Sequence, residues 1–171
     1  MKLFQVLVFT TLSFSASAQK EVIPTTEKFS IEGKVKKEMT VSLADLSVYK
    51  TYTIDSIIIT NHLKARKSTL KKVKGVRLKD ILAKIEIDAE NLKVLNEYYF
   101  VFIASDNYKV VFSWNEIFNN NSGKSFYIIT GEGGKPASAL DSHIALLCPG
   151  DENTGRRYIK GLQKVIVERV K

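Results

Sequence analysis

Few residues in this chain have the chemistry for catalysis or metal binding. It has two histidines and one cysteine. Asp141-Ser142-His143 contains the three residue types of a hydrolytic triad. Neighbours on an extended chain point to opposite faces, so these three cannot form a proton relay among themselves. An outside partner would have to involve His62, the other histidine. His62, His143 and Cys148 are types that bind soft metals, yet no short ligand spacing joins them. They read as ordinary polar positions, and Cys148, inside the apolar run Ile144 to Cys148, reads as a small buried hydrophobe. Gly131-Glu132-Gly133-Gly134-Lys135-Pro136 has the composition of a phosphate loop without its spacing, G-x-x-x-x-G-K-[ST], and reads as a turn.

Two basic groups remain. Lys64, Arg66, Lys67, Lys71, Lys72, Lys74, Arg77 and Lys79 form a run with no acid among them, in a chain of formal net charge +8. Like charges this close repel, and salt screens them only beyond about 8 Å. Such a run reads first as a solvated edge and otherwise as a site for phosphate, glycan or anionic lipid. Arg156, Arg157 and Lys160 form the second group. Convergence of the two in space would favour anion binding. Nucleic acid is disfavoured, because no groove-reading motif is present.

The elements that must position these groups follow from patterning. Phe29 to Val35 alternates apolar and polar residues and is expected to be a strand, followed by extended Met39-Thr40-Val41. Ser42 to Leu46 has the Ser-x-x-acid spacing of a capped helical turn. Thr51 to Thr60 is rich in β-branched residues and is expected to be one core strand. His62 to Lys74 reads as a loop or irregular hairpin. Leu78, Ile81, Leu82 and Ile85 fall at helical spacing, predicting a helix over about Val76 to Ile85. Tyr98 to Ala104 and Tyr108 to Phe112 are expected to form a hairpin across Ser105-Asp106-Asn107. Ser113 and Glu116 have capping-box spacing and predict a short helix through Phe118, then a loop over Asn119 to Lys124. Phe126 to Thr130 reads as a strand. In the last third, Ile144 to Cys148 reads as a buried strand, Asp151 to Arg157 as a surface loop, and Leu162 to Val170 as a half-buried strand. Many strands with a few short helices imply an α+β fold of several small mixed sheets.

The N-terminus carries Lys2, an apolar stretch from Leu3 to Phe14 and the small residues Ala16-Ser17-Ala18. This is the pattern of a secretory signal over residues 1–18, with cleavage before Gln19. The stretch is shorter than the roughly 20 residues that span a bilayer, so no transmembrane segment is expected. The expected organisation is a signal over 1–18, a flexible arm over 19–28 and one domain over 29–171, in a periplasmic or secreted protein. The partner protein is not specified by the sequence.

In order along the chain, these pieces resemble the molybdopterin-binding domain of the sulfite oxidase family. The resemblance is carried by Phe29-Ser-Ile-Glu-Gly-Lys-Val35, Val41-Ser-Leu-Ala-Asp-Leu46 and Gly75-Val-Arg-Leu-Lys-Asp-Ile-Leu82. It continues through Ala104-Ser-Asp-Asn-Tyr-Lys-Val110, Phe112 to Glu116, Leu147-Cys-Pro-Gly150 and Arg157-Tyr-Ile-Lys-Gly161. It implies the sulfite-oxidase-type α+β fold, with a pterin cleft between the loop after the Thr51 to Thr60 strand and the C-terminal loop. Thr60, Asn61, His62, Arg156, Arg157 and Lys160 are then the expected ligand-contacting positions, with Arg157 and Lys160 near the pterin phosphate. Catalytic members place a cysteine thiolate on molybdenum just after the strand corresponding to Ile57-Ile58-Ile59. This chain has Thr60-Asn61 there. A threonine hydroxyl keeps its proton and is a hard, weak donor. Ala145 likewise stands where catalytic members tend to have arginine. Family members loaded with cofactor in the cytoplasm leave folded, whereas a secretory signal implies unfolded passage. The sequence therefore leans away from an enzyme. It points to an exported, non-catalytic module for an anionic small molecule or pterin-like ligand, with no catalytic residue and no metal or cofactor expected. One alternative is a molybdopterin-dependent oxidoreductase with an unconventional ligand set. A second is an adhesion or interaction module acting through the basic surface.

Overall fold

The computed structural model describes residues 23–171. The expected signal over 1–18 and the first part of the arm lie outside the described residues. In chain order the elements are β1 (Lys28–Gly33), β2 (Met39–Ser42), a 3-10 turn (Asp45–Val48), β3 (Thr51–Ile54), β4 (Ile57–Thr60), β5 (Arg66–Leu70), β6 (Val73–Arg77) and α1 (Leu78–Leu82). A 3-10 turn (Leu92–Glu97), β7 (Tyr98–Ala104), β8 (Lys109–Ser113), a π turn (Asn115–Asn119), a 3-10 segment (Asn121–Ser125) and β9 (Tyr127–Glu132) follow. The chain closes with β10 (Lys135–Pro136), a 3-10 turn (Ala137–Ala139), β11 (Ala145–Leu147), a 3-10 turn (Thr154–Arg157), β12 (Ile159–Lys160) and β13 (Leu162–Arg169).

Three sheets result among the described residues. The first has the order β2-β1-β13-β7-β8, and the second β12-β11-β9-β6-β3 with β10 on β9. The hairpin β4-β5 is the third. Within the first sheet β1 and β13 run parallel, and its other pairs are antiparallel. Strand β7 has the clearest pattern: Tyr98, Phe100, Phe102 and Ala104 are buried and the residues between them half-buried, the period of two that a one-sided sheet demands. Phe102 and Phe126 both pack edge-on against Phe112, at 5.0 and 5.1 Å between ring centroids. This core also takes in Val76, Ile128 and Leu146 of the second sheet and Leu78, Ile81 and Leu82 of α1.

The other face of the second sheet meets the β4-β5 hairpin in a smaller cluster of Ile59, Leu70, Val73, Ile129, Ala145 and Leu147. Alternate residues of one strand thus go to different cores, Ile128 to the first and Ile129 to the second. This explains the unbroken apolar run from Ile144 to Cys148, all buried, because a strand covered on both faces needs no polar side.

Several expectations are corrected. Thr51 to Thr60 is two strands, not one. At Asp55-Ser56 the chain leaves the edge of the second sheet, where β3 pairs with β6, and enters the hairpin. Asp55 Oδ1 accepts from Ser56 N–H at 2.8 Å, a local bond that competes with the ladder. The helix expected over Val76 to Ile85 is a single turn. Val76 is held in β6 by pairing with Ile128 and Thr51. Beyond Leu82 the helix tightens, with Lys84 N–H bonding Ile81 O and Ile85 N–H bonding Leu82 O. Part of His62 to Lys74 is ordered in β5 and the start of β6, and Asn119 to Lys124 lies largely in a 3-10 segment. Both capping boxes form. Ser42 N–H donates to Asp45 Oδ2 at 2.8 Å and Asp45 N–H to Ser42 Oγ at 3.3 Å. Ser113 N–H donates to Glu116 Oε2 at 2.8 Å and Glu116 N–H to Ser113 Oγ at 3.1 Å. The second box opens a π turn rather than an α-helix.

The described part of the arm lies on the body. Ser105 Oγ donates to Pro24 O at 2.6 Å, Thr26 bridges to His143, and Glu27 Oε1 stands 2.6 Å from His143 Nδ1. Among the described residues no helix is long and apolar enough to cross a membrane.

Candidate functional site

The end of β4 and the segment preceding β12 are drawn together by one threonine. Thr154, only 7% exposed, accepts from Thr60 N–H at 3.0 Å and donates to Ile58 O at 2.7 Å. Gly155 then lies so close that a Cβ there would meet Thr60 O at 2.3 Å. Above this junction opens a cleft of about 700 Å³, within the usual size range of small-molecule sites. Thr60, Asn61, His62 and Lys67 line it on the hairpin side, and Arg156, Tyr158 and Lys160 on the C-terminal side. Ala104, Asp106 and Tyr108 close it at the β7-β8 turn.

Five of the six expected positions thus share one cavity, but their roles differ. Asn61 Oδ1 accepts from Leu63 N–H at 2.9 Å and Ala65 N–H at 3.0 Å, so this oxygen shapes the turn that presents His62. Thr60 Oγ1 is buried with no partner among the described residues, in the wall of the cleft. Lys67, Arg156 and Lys160 each face the cleft, and none forms an ion pair among the described residues. Among the described residues Asp106 is the lone carboxylate of the lining. Tyr158 is half-buried, and desolvation raises its phenol above the ordinary value, with Glu132 and Asp141 adding to the effect. Lys160 Nζ lies 5.2 Å from its ring.

Arg157 does not line the cleft. Its Nε donates to Asp151 Oδ2 at 2.7 Å, its Nη2 to Asp151 Oδ1 at 2.5 Å and its Nη1 to Glu116 Oε1 at 2.9 Å. The guanidinium lies over Phe112 at 4.6 Å and Phe126 at 5.0 Å. It fastens the loop to the core, and its neighbour Arg156 carries the exposed charge. Cys148 is fully buried below this arrangement. Burial pushes its thiol well up, only partly offset by the charge of Arg157. His143, in left-handed backbone (φ 52°), turns to Glu27. His62, His143 and Cys148 do not gather. Among the described residues no three His, Cys, Asp or Glu side chains are placed to hold a metal.

The sequence matches no protein family, and no curated protein matches it. The fold does have a solved counterpart. It is similar to the sulfane dehydrogenase SoxCD from Paracoccus pantotrophus, with a TM-score of 0.63 and 13% identity. The match covers 87% of this chain and 41% of that one, so this chain spans about two fifths of its length. At this identity the likeness is one of fold. It agrees with the α+β, sulfite-oxidase-type architecture expected from the sequence.

The donor set does not fit the thiolate-ligated molybdenum that the sequence resemblance brings with it. The chain has one cysteine, and it is sealed in the core away from the cleft. Thr60 follows Ile59 where that thiolate would stand, with a hydroxyl in place of sulfur. Three cationic residues, Lys67, Arg156 and Lys160, line the cavity. Lys67 was hidden within the basic run. Whether a hairpin lysine faces a cleft depends on pairing register, here displaced by an irregularity between Ile59 and Thr60, which composition does not encode.

Proposed function

We propose that this chain is an exported, periplasmic or secreted, binding module that holds a small anion in the cleft between β4 and β12 and performs no molybdenum redox chemistry. The observation that carries this reading is the convergence of Lys67, Arg156 and Lys160 on one cavity, none of them in an ion pair among the described residues. These cations come from both basic groups of the sequence. His62 adds a further donor to the lining. Apolar Ile59 and Ala104, with the Tyr108 and Tyr158 rings, suit a ligand with a flat or apolar body beside its charge. The resemblance to the molybdopterin-binding domain makes a pterin phosphate one member of this ligand class.

Inorganic phosphate is the simplest probe. Saturable binding is expected, and Arg156→Ala and Lys160→Ala should each remove a charge-assisted bond of about 1.5–3 kcal/mol, roughly tenfold or more in affinity. Unchanged phosphate affinity in both variants would overturn the site. Stoichiometric molybdenum in protein purified from its native envelope, with a pterin fluorophore released on denaturation, would overturn the non-redox half. Export predicts a mature N-terminus at Gln19, readable by mass spectrometry.

A further inference from the structure

A second cavity, of about 410 Å³, lies on the other side of Tyr158 and Lys160, which line both spaces. Its floor is apolar: Leu70, Ile129, Leu140 and Ala145. Two carboxylates, Glu132 and Asp141, and two ammonium groups, Lys135 and Lys160, share its walls. None of the four forms an ion pair among the described residues. Groups of both signs therefore face one small space without a direct ion pair among the described residues. Glu132 is half-buried, and its desolvation disfavours the ionised form, with Asp141 adding to the effect and Lys160 opposing it.

This combination discriminates among ligand classes. A simple anion would meet Glu132 and Asp141, and a simple cation would meet Lys135 and Lys160, each with like-charge repulsion. A molecule carrying both charges satisfies both pairs, and its apolar remainder matches the floor. We infer that this cavity binds a small zwitterion of the α-amino acid class, its ammonium facing Glu132 and Asp141 and its carboxylate facing Lys135 and Lys160. Neither the fold nor the anion cleft requires such a site; Lys160 and Tyr158 are shared by the two cavities, while Glu132, Asp141 and Lys135 belong to this one alone.

The test is calorimetric titration of the mature protein with each of the common amino acids, to millimolar concentration. At least one with an apolar side chain should bind saturably. Its amide, which lacks the carboxylate, and its deaminated acid, which lacks the ammonium, should each bind about tenfold or more weakly. Glu132→Gln and Lys135→Gln should each lose affinity to a similar degree while still folding, as read from an intact thermal transition. Saturable binding by no amino acid, a deaminated acid as tight as its parent, or unchanged affinity in Glu132→Gln would overturn the inference. Glu132, Asp141 and Lys135 do not line the cleft, so phosphate titration of the same variants separates failure here from failure of the anion site.

Discussion

At the scale of residues, two side chains show how a charge is used differently by position. Arg157 is 23% exposed and its partner Asp151 15%, so their bidentate pair is largely withdrawn from water. Removing one member leaves the other unpaired. Arg157→Ala should cost about 3 kcal/mol in urea unfolding, and Arg157→Lys should recover only part because a single ammonium cannot make the fork. A loss under about 1 kcal/mol would mean that the pair behaves as an exposed one. Glu132 is the opposite case, a half-buried carboxylate with no ion-pair partner among the described residues, its affinity for a proton raised chiefly by burial. At low pH both folded and unfolded chains hold this proton. As pH rises the unfolded chain releases it first, so stability falls from the ordinary glutamate range up through the raised folded value and then levels. Glu132→Gln should therefore equal the parent in acid and exceed it in stability near neutrality, as read from thermal midpoints across pH. Equal pH profiles for the two proteins would show that burial of this carboxylate carries no cost.

At the scale of elements, the cleft exists because the segment after Asn153 is held against the end of β4. Gly155→Ala would place a methyl group against Thr60 O, a backbone atom that cannot rotate away. The segment must lift, straining both bonds of Thr154. A loss of about 1–3 kcal/mol is expected, together with weaker phosphate binding. Gly150→Ala is the control, since a Cβ there meets nothing within 4 Å and its φ is not positive. Equal effects at the two glycines would remove the junction as the cause. How much of this was legible in the sequence depends on whether a feature is local. The alternation of β7, the two capping boxes and the doubly buried run at Leu146 are written in neighbouring residues. The sheet change at Asp55 is not, because Thr51–Ile54 and Ile57–Thr60 have the same β-branched composition and only their partners, β6 and β5, distinguish them. Helical spacing at Leu78 to Ile85 was real, yet β6 pairing claimed Val76. Arg157 sat at an expected cleft position, and nothing local reveals that Asp151 and Glu116 draw it inward while Arg156 faces out.

At the scale of the whole molecule, the basic run is not one surface. Lys64 pairs with Glu152 at 3.5 Å, Arg77 lies 4.0 Å from the Tyr52 ring, and Lys79 donates to Phe118 O at 3.1 Å. Lys67 faces the cleft, whereas Lys71, Lys72 and Lys74 are exposed and line neither cavity. This division separates two kinds of anion recognition that experiment can tell apart. A small ion is held by the few groups that touch it, while an extended polyanion responds to the summed field of exposed charges, screened beyond about 8 Å at physiological salt. Reversing Lys71, Lys72 and Lys74 to Glu should therefore weaken salt-sensitive retention on an immobilised polyanion and change phosphate affinity by less than about threefold. Arg156→Ala with Lys160→Ala should do the converse, losing phosphate binding with a smaller change in retention. If instead both readouts fall together in the triple reversal, the cleft draws its ligand through the overall positive field rather than through its own lining, and Lys67, Arg156 and Lys160 lose their special standing.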